Sequence, residues 1–161
     1  MKNIIFLDNS NIEFSGHDLN STKVRGTESS MILLSEELVK KGYKVSIINA
    51  IKSPISVNGV NYLDKKTLNK NIVYDAAVAS SNANLFNGLK AVKKIVWSNS
   101  VQPFEKFLRK GQLLPFFKHK PTVVTMCKDQ HKLRSFITSF DGKDMISLTV
   151  DPKFYKEAID V

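Results

Sequence analysis

Seven short apolar runs, each about the length of a β-strand, punctuate this chain and restrict its fold more than any other feature. The first, Ile4-Ile5-Phe6-Leu7, has no polar position, which suits a strand buried on both faces rather than one with a wet side. The others cover residues 44–50, 60–63, 76–79, 94–98, 122–126 and 146–150. Between the first two lies the clearest helical segment. Met31, Leu34 and Leu38 recur at helical spacing, and Glu36, Glu37, Lys40 and Lys41 fall mostly on the other side. Thr27 is the expected N-cap, Glu28 places a negative charge at the positive helix end, and Gly42 suits the position just past the last turn. Strands alternating with helices predict an α/β domain: a Rossmann-like, doubly wound, mostly parallel sheet with helices on both faces.

Composition narrows the class. A chain of 161 residues, 42% of them hydrophobic, can build one real core, which excludes a disordered chain. The single cysteine, Cys127, excludes an intrachain disulfide framework and an all-cysteine metal site, and burial as a small hydrophobe is its expected role. His17, His119 and His131 lie far apart with no carboxylate or cysteine at ligand spacing, so no metal is expected. No apolar run approaches the roughly 18–20 residues needed to span a bilayer. The stretch after Met1-Lys2-Asn3 is broken at Asp8, unlike a signal peptide. These features predict a soluble, intracellular chain of one-domain size. Its net charge of +9 points to an anionic partner without saying which kind.

Ligands of parallel α/β sheets bind where strands end and helices begin. Residues 14–25 form a polar loop after the first strand, longer than the usual two to six residues of such connections. The loop leads into Arg25-Gly26-Thr27-Glu28-Ser29-Ser30, where a turn glycine and the first amides of a helix suit a phosphate oxygen. A plain strand-to-helix turn has the same residues, because Gly26 stands alone and matches neither a Walker loop nor a dinucleotide fingerprint.

The order of segments says more than this loop. Arg-Gly-Thr-Glu runs into LLSEELVKKGYKVSIINA, followed by YDAAVASS, KKIVWSNSVQPFEKF, PTVVTMCKDQHKLRSF and ISLTVDPKFY. In that order, over nearly the whole chain, the sequence resembles the amino-terminal domain of retaining GT-B glycosyltransferases of the family-four type. Such enzymes join two Rossmann-like domains around an active site. The amino-terminal domain chiefly binds the acceptor; the carboxy-terminal one binds the nucleotide-sugar donor and carries a pair of glutamates. The resemblance implies that residues 1–161 are one acceptor-side domain, that the donor-binding domain lies outside this chain, in cis or in trans, and that this chain alone does not transfer sugar.

The resemblance also implies roles. Arg25, Gly26 and Thr27 contact the donor diphosphate when the domains close. Ser80, Ser81 and Asn82 after the fourth strand, and Ser98 and Asn99 after the fifth, border the acceptor pocket. Relatives often show a histidine where Asn99 stands, and an asparagine amide has no basic lone pair for general-base work. No catalytic residue is therefore assigned, and Glu28 reads as a helix-start acid rather than a base. The expected substrates are a nucleotide sugar and a saccharide or lipid-linked acceptor in surface polysaccharide or glycolipid assembly. The implied location is the bacterial cytoplasm, at the inner face of the membrane, with no cofactor and no metal.

Two features bear on the alternatives. A free-standing Rossmann-like nucleotide- or phosphate-binding module without catalytic activity is the second reading. Dinucleotide binders, however, place a glycine-rich turn after the first strand, where this chain has Asp8-Asn9-Ser10, and an acid after the second, where it has Asn49-Ala50. Residues 104–120 are the densest basic and aromatic stretch. Phe104, Phe107, Leu108, Leu113, Leu114, Phe116 and Phe117, flanked by Lys106, Arg109, Lys110, Lys118 and Lys120, suit an anionic membrane surface. Equally, the phenylalanines suit a core with the lysines simply solvated, and Pro115 interrupts any single long helix. No nucleic-acid recognition motif accompanies these charges, and no nucleic acid is expected as partner.

Overall fold

Every residue of the first strand's centre is buried: Ile5, Phe6 and Leu7 are each 3% exposed or less. Alternation sends Phe6 to one face of the sheet and Ile5 and Leu7 to the other, so both faces have to be covered. The computed structural model, which describes residues 1–69, 71–98, 109–125 and the backbone of 143–145, shows how. Strands β1 (Asn3–Leu7), β2 (Lys44–Asn49), β3 (Ile55–Val57), β4 (Val60–Asp64), β5 (Val73–Ser80), β6 (Lys90–Ser98), β7 (Thr122–Thr125) and β8 (Lys143–Met145) form one sheet. Its order is β3-β4-β2-β1-β5-β6-β7-β8, and every pairing but β3–β4 is parallel. The domain is thus α/β with a mostly parallel sheet, compatible with a Rossmann-like fold.

Helix α1 (Gly26–Lys40) covers the Phe6 face, packing Met31 and Ile32 against Val45, Ile47, Val60 and Tyr62. Phe14 joins this core fully buried, its ring edge-on to Tyr62 with centroids 6.5 Å apart, so the loop after β1 is anchored by an aromatic residue. The opposite face is covered by a 3₁₀ turn at Ala83–Phe86 and by helix α2 (Leu113–His119), which bring Phe86 and Phe116 against Ile5, Leu7, Tyr74 and Val96. The proline expected to interrupt the basic stretch, Pro115, is the third residue of α2. There its missing N–H costs no helical hydrogen bond.

Several expectations need correcting. The buried face of α1 is Glu28, Met31, Ile32 and Ser35, with Leu38 and Val39 partly buried, whereas Leu34 is 40% exposed. The stripe is rotated because the helix leans over the sheet by its Met31–Ile32 side, and spacing alone does not fix which flank that is. Thr27 is not the N-cap. Arg25 holds that position with extended backbone, and Thr27 lies inside the first turn. The guanidinium has no acceptor, so only the reciprocal half of a capping box exists: the Arg25 amide donates to Glu28 Oε2 at 3.2 Å. At the other end Gly42 does sit past the cap with φ +84. Its amide donates to Val39 and that of Tyr43 to Leu38, the bond pair of a Schellman motif.

Strands β5 and β6 are longer than their apolar centres, because alternation and charge mask their amino-terminal halves. Strand β3 was not legible as an apolar run, yet Asn58-Gly59 signals it. Both residues have positive φ (50 and 79), the backbone of a two-residue hairpin turn. The strand expected at residues 146–150 lies outside the described residues, as do Cys127 and His131; β8 immediately precedes it.

The hairpin generates a test. A Cβ on Gly59 would stand 2.6 Å from Val39 Cγ1 in addition to the positive-φ strain, while one on Gly42 would meet open space. Gly59→Ala should therefore cost about 2–4 kcal/mol and Gly42→Ala only about 1 kcal/mol. Urea denaturation of the two variants ranks them; equal losses would mean that Val39 does not lock the hairpin onto α1.

Candidate functional site

Strand β1 sits between β2 and β5, so the chain leaves it in one direction through α1 and later crosses to its other side. The crevice of such a sheet lies at the carboxyl ends of β1 and β5. Asp8 follows β1 directly. Its amide still donates to the Ile48 carbonyl at 2.9 Å, continuing the ladder, and its side chain is 2% exposed. One carboxylate oxygen, Oδ2, accepts from both the Ser10 amide at 2.9 Å and the Ser10 hydroxyl at 2.5 Å. Ser10 Oγ accepts in turn from the Ile12 amide, so the chain folds tightly over the end of β1.

Burial pushes the Asp8 carboxyl above the ordinary carboxylate range, the Ser10 hydroxyl and amide pull it back, and the Glu28 carboxylate raises it further. Glu28, itself only 3% exposed, thus does two things. It closes the helix start on Arg25, as a first-turn acid is expected to, and its charge reaches a second buried carboxyl, Asp8. Sequence reasoning missed this pair. The available signal was an acid placed directly at the end of a wholly apolar strand, where a solvated carboxylate has no room.

The crevice continues onto β5 and β6. Asn82 Nδ2 donates to Asn9 Oδ1 at 3.2 Å, tying the loop after β5 to the loop after β1. Asn82 Oδ1 accepts from the Asn84 amide and starts the 3₁₀ turn. Ser81 takes a left-handed backbone (φ 53), and both its amide and its hydroxyl donate to the Trp97 carbonyl, at 2.9 and 3.3 Å. Ser80 and Ser98 end their strands buried. The fold therefore brings Ser80, Ser81, Asn82 and Ser98 to the same end of the sheet as Asp8, whereas Asn99 lies outside the described residues.

Arg25 and Gly26 are exposed and Thr27 is half-buried at the start of α1. Nothing lies within 4 Å of a Cβ built on Gly26, and its backbone needs no glycine, so the position is open rather than strained. Asn49, the residue standing where dinucleotide binders keep an acid, is fully buried. Its Nδ2 donates to the Phe14 carbonyl at 2.6 Å and its Oδ1 accepts from Ile51, so it pins the long loop onto β2. Next to this anchor a cleft of about 360 Å³ is lined by Glu13, Phe14, Ser15, Asp18, Ile51 and Ser53 among others.

No protein-family model, no curated protein and no solved structure matches this chain. Among the described residues no group of three or more His, Cys, Asp or Glu side chains is gathered as a metal site. Among them, too, no helix is long and apolar enough to cross a membrane.

What the crevice can do chemically follows from its groups. Serine and asparagine side chains pair with hydroxyl-rich ligands, and the open helix start offers amides and a guanidinium to an anion. Asp8 donates or accepts a proton closer to neutrality than an exposed aspartate, but its carboxylate is engaged by Ser10 and by the Asn9 backbone, so in this conformation it holds the loop.

Its titration gives a prediction. The folded state favours the protonated form, so this stabilising contribution is complete below the unfolded value of 3.8 and is lost as pH rises through the higher folded value. Asp8→Asn keeps an acceptor for Ser10 and carries no charge. It should raise Tm at pH 7 by about 2–4 °C, and the gain should vanish below pH 3.8. A variant less stable than the parent at pH 7 would show that the ionised form of Asp8 is needed.

Proposed function

We propose that this chain is the acceptor-side half of a GT-B-type glycosyltransferase that moves a sugar from a nucleotide-sugar donor to a saccharide or lipid-linked acceptor in surface polysaccharide or glycolipid assembly. The observation that carries this reading is the convergence of two site types at one end of a parallel sheet. The open Arg25-Gly26-Thr27 helix start and the Ser80, Ser81, Asn82 and Ser98 rim lie on either side of the β1–β5 crevice. A phosphate-bearing group at the first and a polyhydroxylated acceptor at the second are the chemistry these residues match. Asn99 belongs to the same rim in this reading.

The proposal takes the sheet as doubly wound. Its support is that separate cores of buried residues cover the two faces, one built by α1 and one by α2 and the 3₁₀ turn. A partner domain, in cis or in trans, supplies most of the donor site. The transfer itself then belongs to the closed pair, with the nucleotide sugar as substrate and no metal or other cofactor involved. We place the assembly in the cytoplasm against the inner face of the membrane. Helix α2 and its flanks favour that location: Leu114 is 79% and Phe117 56% exposed beside the exposed Arg109, Lys110, Lys118 and Lys120, although Pro115 and Phe116 turn inward. The reading assigns no nucleic-acid partner.

Chemical-shift mapping of the chain with a panel of oligosaccharides and uridine and guanosine diphosphate sugars tests the reading. Saccharides should perturb Ser80–Asn82 and Ser98, with Asn82→Ala weakening binding by about 5–10-fold. The nucleotide sugars should bind only in the millimolar range, around Arg25–Thr27. Micromolar nucleotide-sugar binding without any saccharide response would instead favour the free-standing nucleotide-binding module.

A further inference from the structure

Among the described residues, the amino-terminal half of β6 is paired on one side only. Residues 90–94 run along β5, but β7 joins β6 from Ile95 onward, so among the described residues no strand runs along the other edge of Lys90–Lys94. Beside that edge lies a polar cleft of about 390 Å³ lined by Ala91, Val92, Lys93, Lys94, His119, Lys120 and Thr122. It sits at the opposite end of the sheet from the β1–β5 crevice, since Lys94 pairs with Ala77 at mid-strand while Ser80 and Ser98 end their strands.

The charges in this cleft are arranged against one another. Lys94 Nζ stands 3.1 Å from His119 Nδ1, and His119 Nε2 stands 3.0 Å from Asn87 Oδ1. With Lys94 as donor, the imidazole is neutral and carries its proton on Nε2, toward Asn87. The Phe86 ring meets the imidazole edge-on at 5.8 Å and holds its plane. Lys118 adds a further positive charge that acts on both groups. Burial, then the neighbouring cations, holds the His119 and Lys94 pKa values below their usual ranges, and among the described residues no carboxylate acts on either. Among the described residues the groups facing His119 are Lys94 from β6, Lys118 from α2, and Asn87 and Phe86 from the 3₁₀ segment, none of them acidic. A free strand edge guarded by lysine is ordinary. A lysine hydrogen-bonded to a histidine, with Lys93, Lys118 and Lys120 close by and Thr122 lining the same cleft, is more than an edge needs.

We propose that this cleft is an oxyanion site that binds a phosphate group, with Lys94 as its charged contact, Lys93, Lys120 and Thr122 at its rim and His119 as a gate on its charge state. An arriving phosphate supplies a counter-charge that none of the described neighbours provides, and it favours the protonated imidazole. Affinity therefore rises as pH falls through the pKa that His119 has in the occupied site. The proposal does not depend on the glycosyltransferase reading, whose phosphate contact lies at Arg25–Thr27.

The test follows the His119 imidazole by nitrogen-detected NMR in the full chain. One arm titrates inorganic phosphate, and the other adds phosphatidylcholine vesicles with and without phosphatidylglycerol. The site predicts a saturable His119 shift with a raised His119 pKa. Lys94→Gln, folded by circular dichroism, should weaken it at least about tenfold, and Arg25→Ala should leave it unchanged. Saturation by free phosphate identifies a soluble ligand; a response confined to phosphatidylglycerol vesicles identifies a lipid headgroup. A His119 resonance indifferent to both arms overturns the site. So does a shift that grows linearly with ionic strength and persists in Lys94→Gln, which would leave the lysines as edge guards. Should Lys94→Gln fail to fold, Lys93→Gln on the exposed side of the cleft carries the same comparison.

Discussion

A strand with no polar side chain in its centre has to be covered on both faces, and β1 imposes that condition on everything around it. Its backbone amides and carbonyls are satisfied by parallel neighbours on each side, β2 and β5, and its side chains by two separate cores. Parallel pairing in turn aligns the ends of the strands. The residues that follow β1, β5 and β6 therefore emerge together at one edge, and the chain has to change direction there without water to satisfy a buried acid.

Asp8 shows the cost of that geometry. Placed one residue past the buried end of β1, its carboxylate gains from the Ser10 hydrogen bonds on its own loop and loses from the Glu28 charge on the next helix. The opposite half of the sheet inverts the sign. There β6 begins before β7 does, and lysines gather around the His119 imidazole. Buried acids thus lie at the carboxyl end of the sheet, and a cluster of lysines lines a cleft toward the other.

Much of the fold was readable from residue order. The strand cores at Ile4–Leu7, in β2 and in β7, the helix between β1 and β2, and its Gly42 stop all follow from local pattern. Glu28 was readable as a helix-start acid because a first-turn carboxylate is favoured wherever the helix packs. Less legible were the rotation of α1, which exposes Leu34, and the cap on Arg25, because a helix's buried flank is chosen by the sheet beneath it. The polar reading of residues 14–25 missed the burial of Phe14 for the same reason: one aromatic ring in a hydrophilic loop becomes core only when Tyr62 stands beneath it. Of the site, the Ser80–Asn82 and Ser98 rim was visible as polar residues ending apolar strands, while the Asn9–Asn82 tie and the Asp8–Glu28 pair were not.

By itself the sequence determined that this chain builds an α/β domain, since strand-length apolar runs separated by a capped amphipathic helix have few other ways to bury their surface. It also determined where polar groups follow strands. Only the tertiary structure decided which of those groups meet. The order β2-β1-β5-β6 brings Asp8 within reach of the Glu28 charge and Asn9 against Asn82, and β6 runs past the start of β7 where Lys94 reaches His119. Each of these encounters joins residues that are distant in the chain. Their energies depend on burial and on neighbouring charge, and neither exists until the strands have been laid side by side.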